Sequence, residues 1–105
     1  MMKAKIAVLV SGGGTNLQAL IDAQKSGIIK SGEISLVISN KSDAYALTRA
    51  QNADIKTLVI EKKDNANFED DIINALEENN IDLIVLAGFM CILSERFTSR
   101  FAERI

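Results

Sequence analysis

Apolar residues fall into two alternating patterns along this chain, short continuous runs and longer stretches with a single apolar face. The first run, Ala4-Lys5-Ile6-Ala7-Val8-Leu9-Val10, is rich in β-branched residues and ends at Ser11-Gly12-Gly13-Gly14. A continuous apolar run closed by glycine is how a strand covered on both faces reads in a parallel sheet. After the glycines, Leu17, Leu20, Ile21 and Ile28, with the small Ala23 between them, recur at the spacing of one helix face. Thr15 with Gln18 three residues later fits a capping box, which predicts a helix from about Thr15 or Asn16. Gly27 is a natural stop.

The pattern then repeats. Ile34-Ser35-Leu36-Val37-Ile38 predicts a second strand, and Ser39 to Asp43 a polar turn with capping candidates, Asp43 among them. Ala44 to Ala53 is an alanine-rich helical stretch. Thr57 to Ile60 predicts a third strand, followed by a polar loop from Glu61 to Asn67. A third helix then carries Phe68, Ile72 and Leu76 on one face. Ile81-Asp82-Leu83-Ile84-Val85-Leu86 predicts the fourth strand, and Ser94 can cap a last helix bearing Phe97, Phe101 and Ile105. Strands alternating with helices over short connections imply βαβ units, hence an α/β fold with a parallel sheet of about four strands flanked by helices. Doubly wound sheets give the expected order 3-2-1-4. The apolar stripe runs to the last residue, so the sheet is expected to be truncated and residues 1–105 to be the amino-terminal part of a larger domain.

Composition narrows the chemistry. The net charge is −2, from 14 acidic and 12 basic residues, with no basic excess for nucleic acid or an anionic membrane surface. No apolar run approaches the roughly 20 residues that cross a bilayer. Histidine is absent, which excludes imidazole bases and His-containing zinc sites within these residues. Proline is absent too, and Cys91, the one cysteine, has no partner for an intramolecular disulfide, in keeping with a cytoplasmic chain. Cys91 without an imidazole reads as a small apolar residue, and Glu69, Asp70 and Asp71 as a solvated helix face. Arg96, Arg100 and Arg104 read as the wet side of the last helix. No metal site is expected.

Ser11-Gly12-Gly13-Gly14-Thr15-Asn16, between a buried strand and an amphipathic helix, is the strongest chemical signal. A helix start presents unpaired N–H groups and a positive dipole end, and glycine lets an anion reach the backbone. Phosphate is the natural guest. A dinucleotide fingerprint would place glycine at Leu17 and an acidic residue near Ser39-Asn40, and a P-loop would need Gly-Lys-Ser/Thr; neither occurs. Leu86 to Leu93 follows the fourth strand, at the sheet edge where open α/β sheets bind ligands, and offers apolar Phe89, Met90, Ile92 and Leu93 to a flat ligand.

Three segments together, Val8 to Asp22, Ser39 to Ala44, and Asp82 to Met90 with Ile92-Leu93, resemble the glycinamide ribonucleotide formyltransferases, also called phosphoribosylglycinamide formyltransferases. The segments keep that family's order and spacing and match about the first half of a typical member. The resemblance implies an enzyme of purine biosynthesis that moves a formyl group from 10-formyltetrahydrofolate, its co-substrate, to the amine of glycinamide ribonucleotide. It implies that Gly14, Thr15 and Asn16 hold the substrate phosphate. It places folate against Met90, Cys91, Ile92 and Leu93, with Leu86 and Phe89 nearby. Cys91 stands where the family usually has arginine, and Asn65 stands near another basic folate contact; neither supplies the charge. The catalytic asparagine, histidine and aspartate of the family fall beyond the position matching Ile105, so the 105 residues alone are expected to be inactive or nearly so. The implied partners are small molecules, with no nucleic acid and no membrane. Two rival readings are a non-catalytic Rossmann-like module that binds a phosphorylated small molecule, and a fragment that self-associates through its truncated sheet edge.

Overall fold

A computed structural model describes residues 4–27, 32–61 and 67–89. Its elements, in order, are β1 (Ala4–Val10), α1 (Thr15–Lys25), β2 (Gly32–Ser39), α2 (Tyr45–Asn52), β3 (Lys56–Val59), α3 (Phe68–Glu78) and β4 (Leu83–Leu86). Ile28, Asn65, Met90 to Leu93 and the predicted helix after Ser94 lie outside the described residues. The four strands form one parallel sheet in the order β3-β2-β1-β4, as expected.

That order fixes which face each helix covers. The chain steps from β1 to β2 to β3 in one direction, and right-handed crossovers put α1 and α2 on the same face. It then returns past β1 to β4, so the same handedness sends α3 to the opposite face. The packing agrees. Val8, Val10 and Val37 pack with Leu17 and Ile21 of α1 and Ala46 and Ala50 of α2. Ala7, Leu9, Leu36 and Ile38 pack with Phe68, Ile72 and Leu76 of α3. The last four residues of β1 are completely buried between the two layers, which is why this strand reads as an unbroken apolar run.

One irregularity changes the side-chain register. Ile6 pairs with Ile34 but Ala7 pairs with Leu36, leaving Ser35 as the extra residue of a β-bulge. Simple alternation would place Ile34, Leu36 and Ile38 on one face. The bulge instead puts Ile34 in the α1 and α2 layer while Leu36 and Ile38 face α3. The side chain of Gln24 in α1 secures the spot, accepting the Ile34 N–H at 2.6 Å.

The predicted caps differ from those found. The capping box of Thr15 and Gln18 does not form: Gly14, in the left-handed region at φ 80°, is the N-cap of α1 and no side chain caps it. The first turn closes by Gln18 N–H to Gly14 O at 2.8 Å. The Gln18 side chain is engaged elsewhere, donating to Asp22 Oδ1 at 2.9 Å. Gly27 does end α1, at φ 84°. Asp43 is not the cap of α2, because Ala44 holds that position in an extended conformation. β4 begins two residues later than predicted; Ile81 is buried beneath it, and Asp82 joins β1 by a pair of bonds, its N–H to Lys5 O at 2.8 Å and Lys5 N–H to its Oδ2 at 2.9 Å. No helix among the described residues is long and apolar enough to cross a membrane.

Candidate functional site

β1 and β4 are neighbours joined to helices on opposite faces, β1 leading into α1 on one and β4 following α3 on the other. Such a reversal opens a crevice at the carboxyl ends of the strands, the usual ligand position in open α/β sheets. A cleft of about 150 Å³ lies there. Gly12, Gly13, Gly14, Thr15 and Asn16 line it from the β1 side, and Ala87 and Gly88 from the β4 side. The Ala87 N–H continues the ladder past β4, bonding Leu9 O at 3.0 Å, and so carries its segment alongside the glycine loop.

The three consecutive glycines do different work. A Cβ on Gly14 would come within 2.7 Å of Ala46 Cβ and 2.8 Å of its Cα, and the positive φ disfavours a side chain in any case. Gly14 is therefore the packed glycine, where the loop crosses α2. A Cβ on Gly12 or Gly13 would meet nothing within 4 Å, so neither is required by packing, and both line the cleft. Thr15 and Asn16 are exposed in the first turn of α1. The N–H groups of Thr15, Asn16 and Leu17 precede the first intrahelical bond and have no carbonyl four residues back within the helix, and the dipole favours negative charge there.

The back of the loop is tied to α2. Gly12 O accepts the Ala46 N–H at 3.1 Å, and Gly13 O accepts Arg49 Nε at 2.7 Å. Arg49 also donates from Nη1 to Gln18 Oε1 at 3.3 Å, and its guanidinium sits 5.0 Å from the centre of the Tyr45 ring. Two successive carbonyls thus point at α2.

Gly14, Thr15 and Asn16, the predicted phosphate residues, are brought together in this cleft. Of the predicted folate residues, Leu86 is 45% exposed at the end of β4. Phe89 is half-buried, packs against the α3 side of the core and lies parallel to Phe68, ring centroids 6.5 Å apart. Met90, Cys91, Ile92, Leu93 and Asn65 lie outside the described residues. Sequence reasoning assigned no role to Ala87 or Arg49. Ala87 could have been found from Gly88, the glycine that breaks the strand beside it, but Arg49 carries no local signal. Among the described residues the side-chain groups that line the cleft are a hydroxyl and an amide, which can hold an anion but supply no base. Among the described residues no group of three acidic, cysteine or histidine side chains is placed to hold a metal ion.

Residues 4–105 match the formyl transferase family. Over 104 residues the chain is 52% identical to the phosphoribosylglycinamide formyltransferase of Haemophilus influenzae, covering 96% of this chain and 49% of that protein. Identity to the Escherichia coli enzyme of the same name is 45%, over 95% of this chain and 48% of the relative. The crystallised phosphoribosylglycinamide formyltransferase of Coxiella burnetii superposes with a TM-score of 0.92 at 43% identity, covering 98% of this chain and 49% of that one. The chain spans about half the length of these relatives.

Proposed function

The chain belongs to the formyl transferase family, and on that premise we propose that the protein carrying it is a phosphoribosylglycinamide formyltransferase of purine biosynthesis. It transfers the formyl group of 10-formyltetrahydrofolate to the amine of glycinamide ribonucleotide. The observation that carries this reading is the glycine cleft at the β1 and β4 ends, in a chain 45% and 52% identical to two enzymes of that name. Anion binding at a glycine-bounded helix start suits the 5′-phosphate of the ribonucleotide.

In this reading Gly14, Thr15 and Asn16 hold the phosphate, with Gly12 and Gly13 leaving room for it. Met90, Cys91, Ile92 and Leu93, with Leu86 and Phe89 nearby, are the residues assigned to the folate. In the transfer the amine nitrogen attacks the formyl carbon, a tetrahedral oxyanion forms, and the C–N bond to folate breaks as a proton passes from the amine to the departing nitrogen. That sequence needs oxyanion donors and a proton shuttle. In this reading these residues bind and orient, and the oxyanion donors and the shuttle lie in the half of the relatives that this chain does not span. On the same reading the protein works in the cytoplasm on small molecules.

The test is a titration of the full-length protein with glycinamide ribonucleotide and, separately, with adenosine monophosphate, followed by a formyl-transfer assay. Preference for the glycinamide compound together with transfer supports the proposal. Equal binding of both compounds without transfer would instead identify a general phosphate-binding module.

A further inference from the structure

We propose that Arg49 is the positioning residue of the glycine loop: by holding the Gly13 carbonyl against α2, it turns the Gly14 N–H toward the cleft. The inference rests on the reading of that cleft as a phosphate site and adds a residue from a different element to it.

In a trans peptide the carbonyl and the following N–H point in opposite directions, and no peptide among the described residues is cis. Gly12 O is taken by the Ala46 N–H and Gly13 O by Arg49 Nε. The N–H groups of Gly13 and Gly14 must then point away from α2. The cleft opens on that side, since α2 follows β2 on one flank of β1 while Ala87 and Gly88 follow β4 on the other. Of the two ties, the one from Ala46 is main chain and independent of residue type. The one from Arg49 depends on a side chain, and without it a glycine pair is free to rotate its peptide and turn a carbonyl toward the anion.

Arg49 is itself held in place. Its Nη1 reaches Gln18 Oε1 on α1, Gln18 Nε2 in turn reaches Asp22 Oδ1, and the guanidinium lies over the Tyr45 ring one turn earlier on α2. A planar fork with several donors can serve the loop carbonyl and α1 at once; a lysine ammonium could reach one of them but lacks the fixed geometry. The bond to Gly13 O is charge-assisted, which makes it one of the stronger ties available to a loop of this kind. Arg49 does not line the cleft, so its effect on a ligand passes through the peptide it orients.

The experiment compares Arg49→Met and Arg49→Lys in the full-length protein, reading the amide resonances of Gly12 to Asn16, the affinity for glycinamide ribonucleotide, and the affinity for 10-formyltetrahydrofolate. Arg49→Met is expected to move and broaden the Gly13 and Gly14 resonances while those of β1 and α3 stay, and to weaken the ribonucleotide about tenfold, the loss of one charged hydrogen bond. Folate affinity should hold, and Arg49→Lys should recover part of the loss. Unchanged loop resonances in Arg49→Met would overturn the proposal, as would an equal loss of both ligands that lysine does not relieve. If the unsubstituted protein binds no ribonucleotide, the functional reading fails by itself, and the loop resonances of the variants still decide the role of Arg49.

Discussion

At the scale of single residues, the glycine loop separates packing from ligand access. Gly14 sits at positive φ with its missing Cβ directed into Ala46. Gly14→Ala should therefore cost stability, about 1–2 kcal/mol for the left-handed backbone and about 1–3 kcal/mol for the overlap. Chemical denaturation would show it as a lower midpoint. Gly12 has open space around its Cβ position, so Gly12→Ala should leave stability within about 0.5 kcal/mol. Because Gly12 lines the cleft, an added methyl should reduce the room for a phosphate and raise the KM for the ribonucleotide; a Gly12→Ala protein with normal KM would contradict the phosphate site. The run of three glycines announced a close approach in the sequence, because only glycine leaves backbone bare. Which glycine was packed and which was open was not legible, since Ala46 lies 32 residues away in the chain. Arg49 was hidden for the same reason: its partner is a carbonyl 36 residues distant, and a carbonyl has no residue type to read.

At the scale of elements, strands and helices were legible from their periodicities, while the joints between them were less so. The order and number of elements through β4 match the expected ones. The bulge at Ser35 could not be foreseen, because Ile34, Leu36 and Ile38 fit perfect alternation and only pairing with β1 reveals the extra residue. The caps misled for a physical reason as well: a left-handed glycine starts α1 without help from a side chain, which frees Gln18 to join Asp22 and Arg49. The element that most directly connects core to cleft is α3. Its Phe68 is buried at 4% exposure and lies against Phe89, the neighbour of Gly88. Phe68→Ala should cost about 3–5 kcal/mol and loosen the segment after β4. Thermal unfolding measures the first effect. The second should appear as weakened folate binding, even under conditions where the variant remains folded, and unchanged folate affinity would argue against that segment as the folate side.

At the scale of the whole molecule, function follows from topology. Placing β1 between β2 and β4 reverses the winding of the chain and puts a crevice at the ends of β1 and β4, the one place where both loops can grip a ligand. That order was expected only by analogy with doubly wound folds, because right-handed crossovers set which face each helix covers and leave open which strands are neighbours. The chemistry is divided differently. Among the described residues the cleft that we propose to hold the phosphate has no acid or base in its lining, and the sequence contains no histidine. The 105-residue chain by itself should show little or no formyl transfer, whereas the full-length protein should turn over; robust turnover by the short chain would refute that division of labour. The most direct test of the central claim is a titration of isotope-labelled full-length protein with glycinamide ribonucleotide, followed by amide resonances. Saturable shifts are expected at Gly12 to Asn16 and at Gly88, with α3 unmoved. Shifts elsewhere, or the same response to adenosine monophosphate, would contradict it.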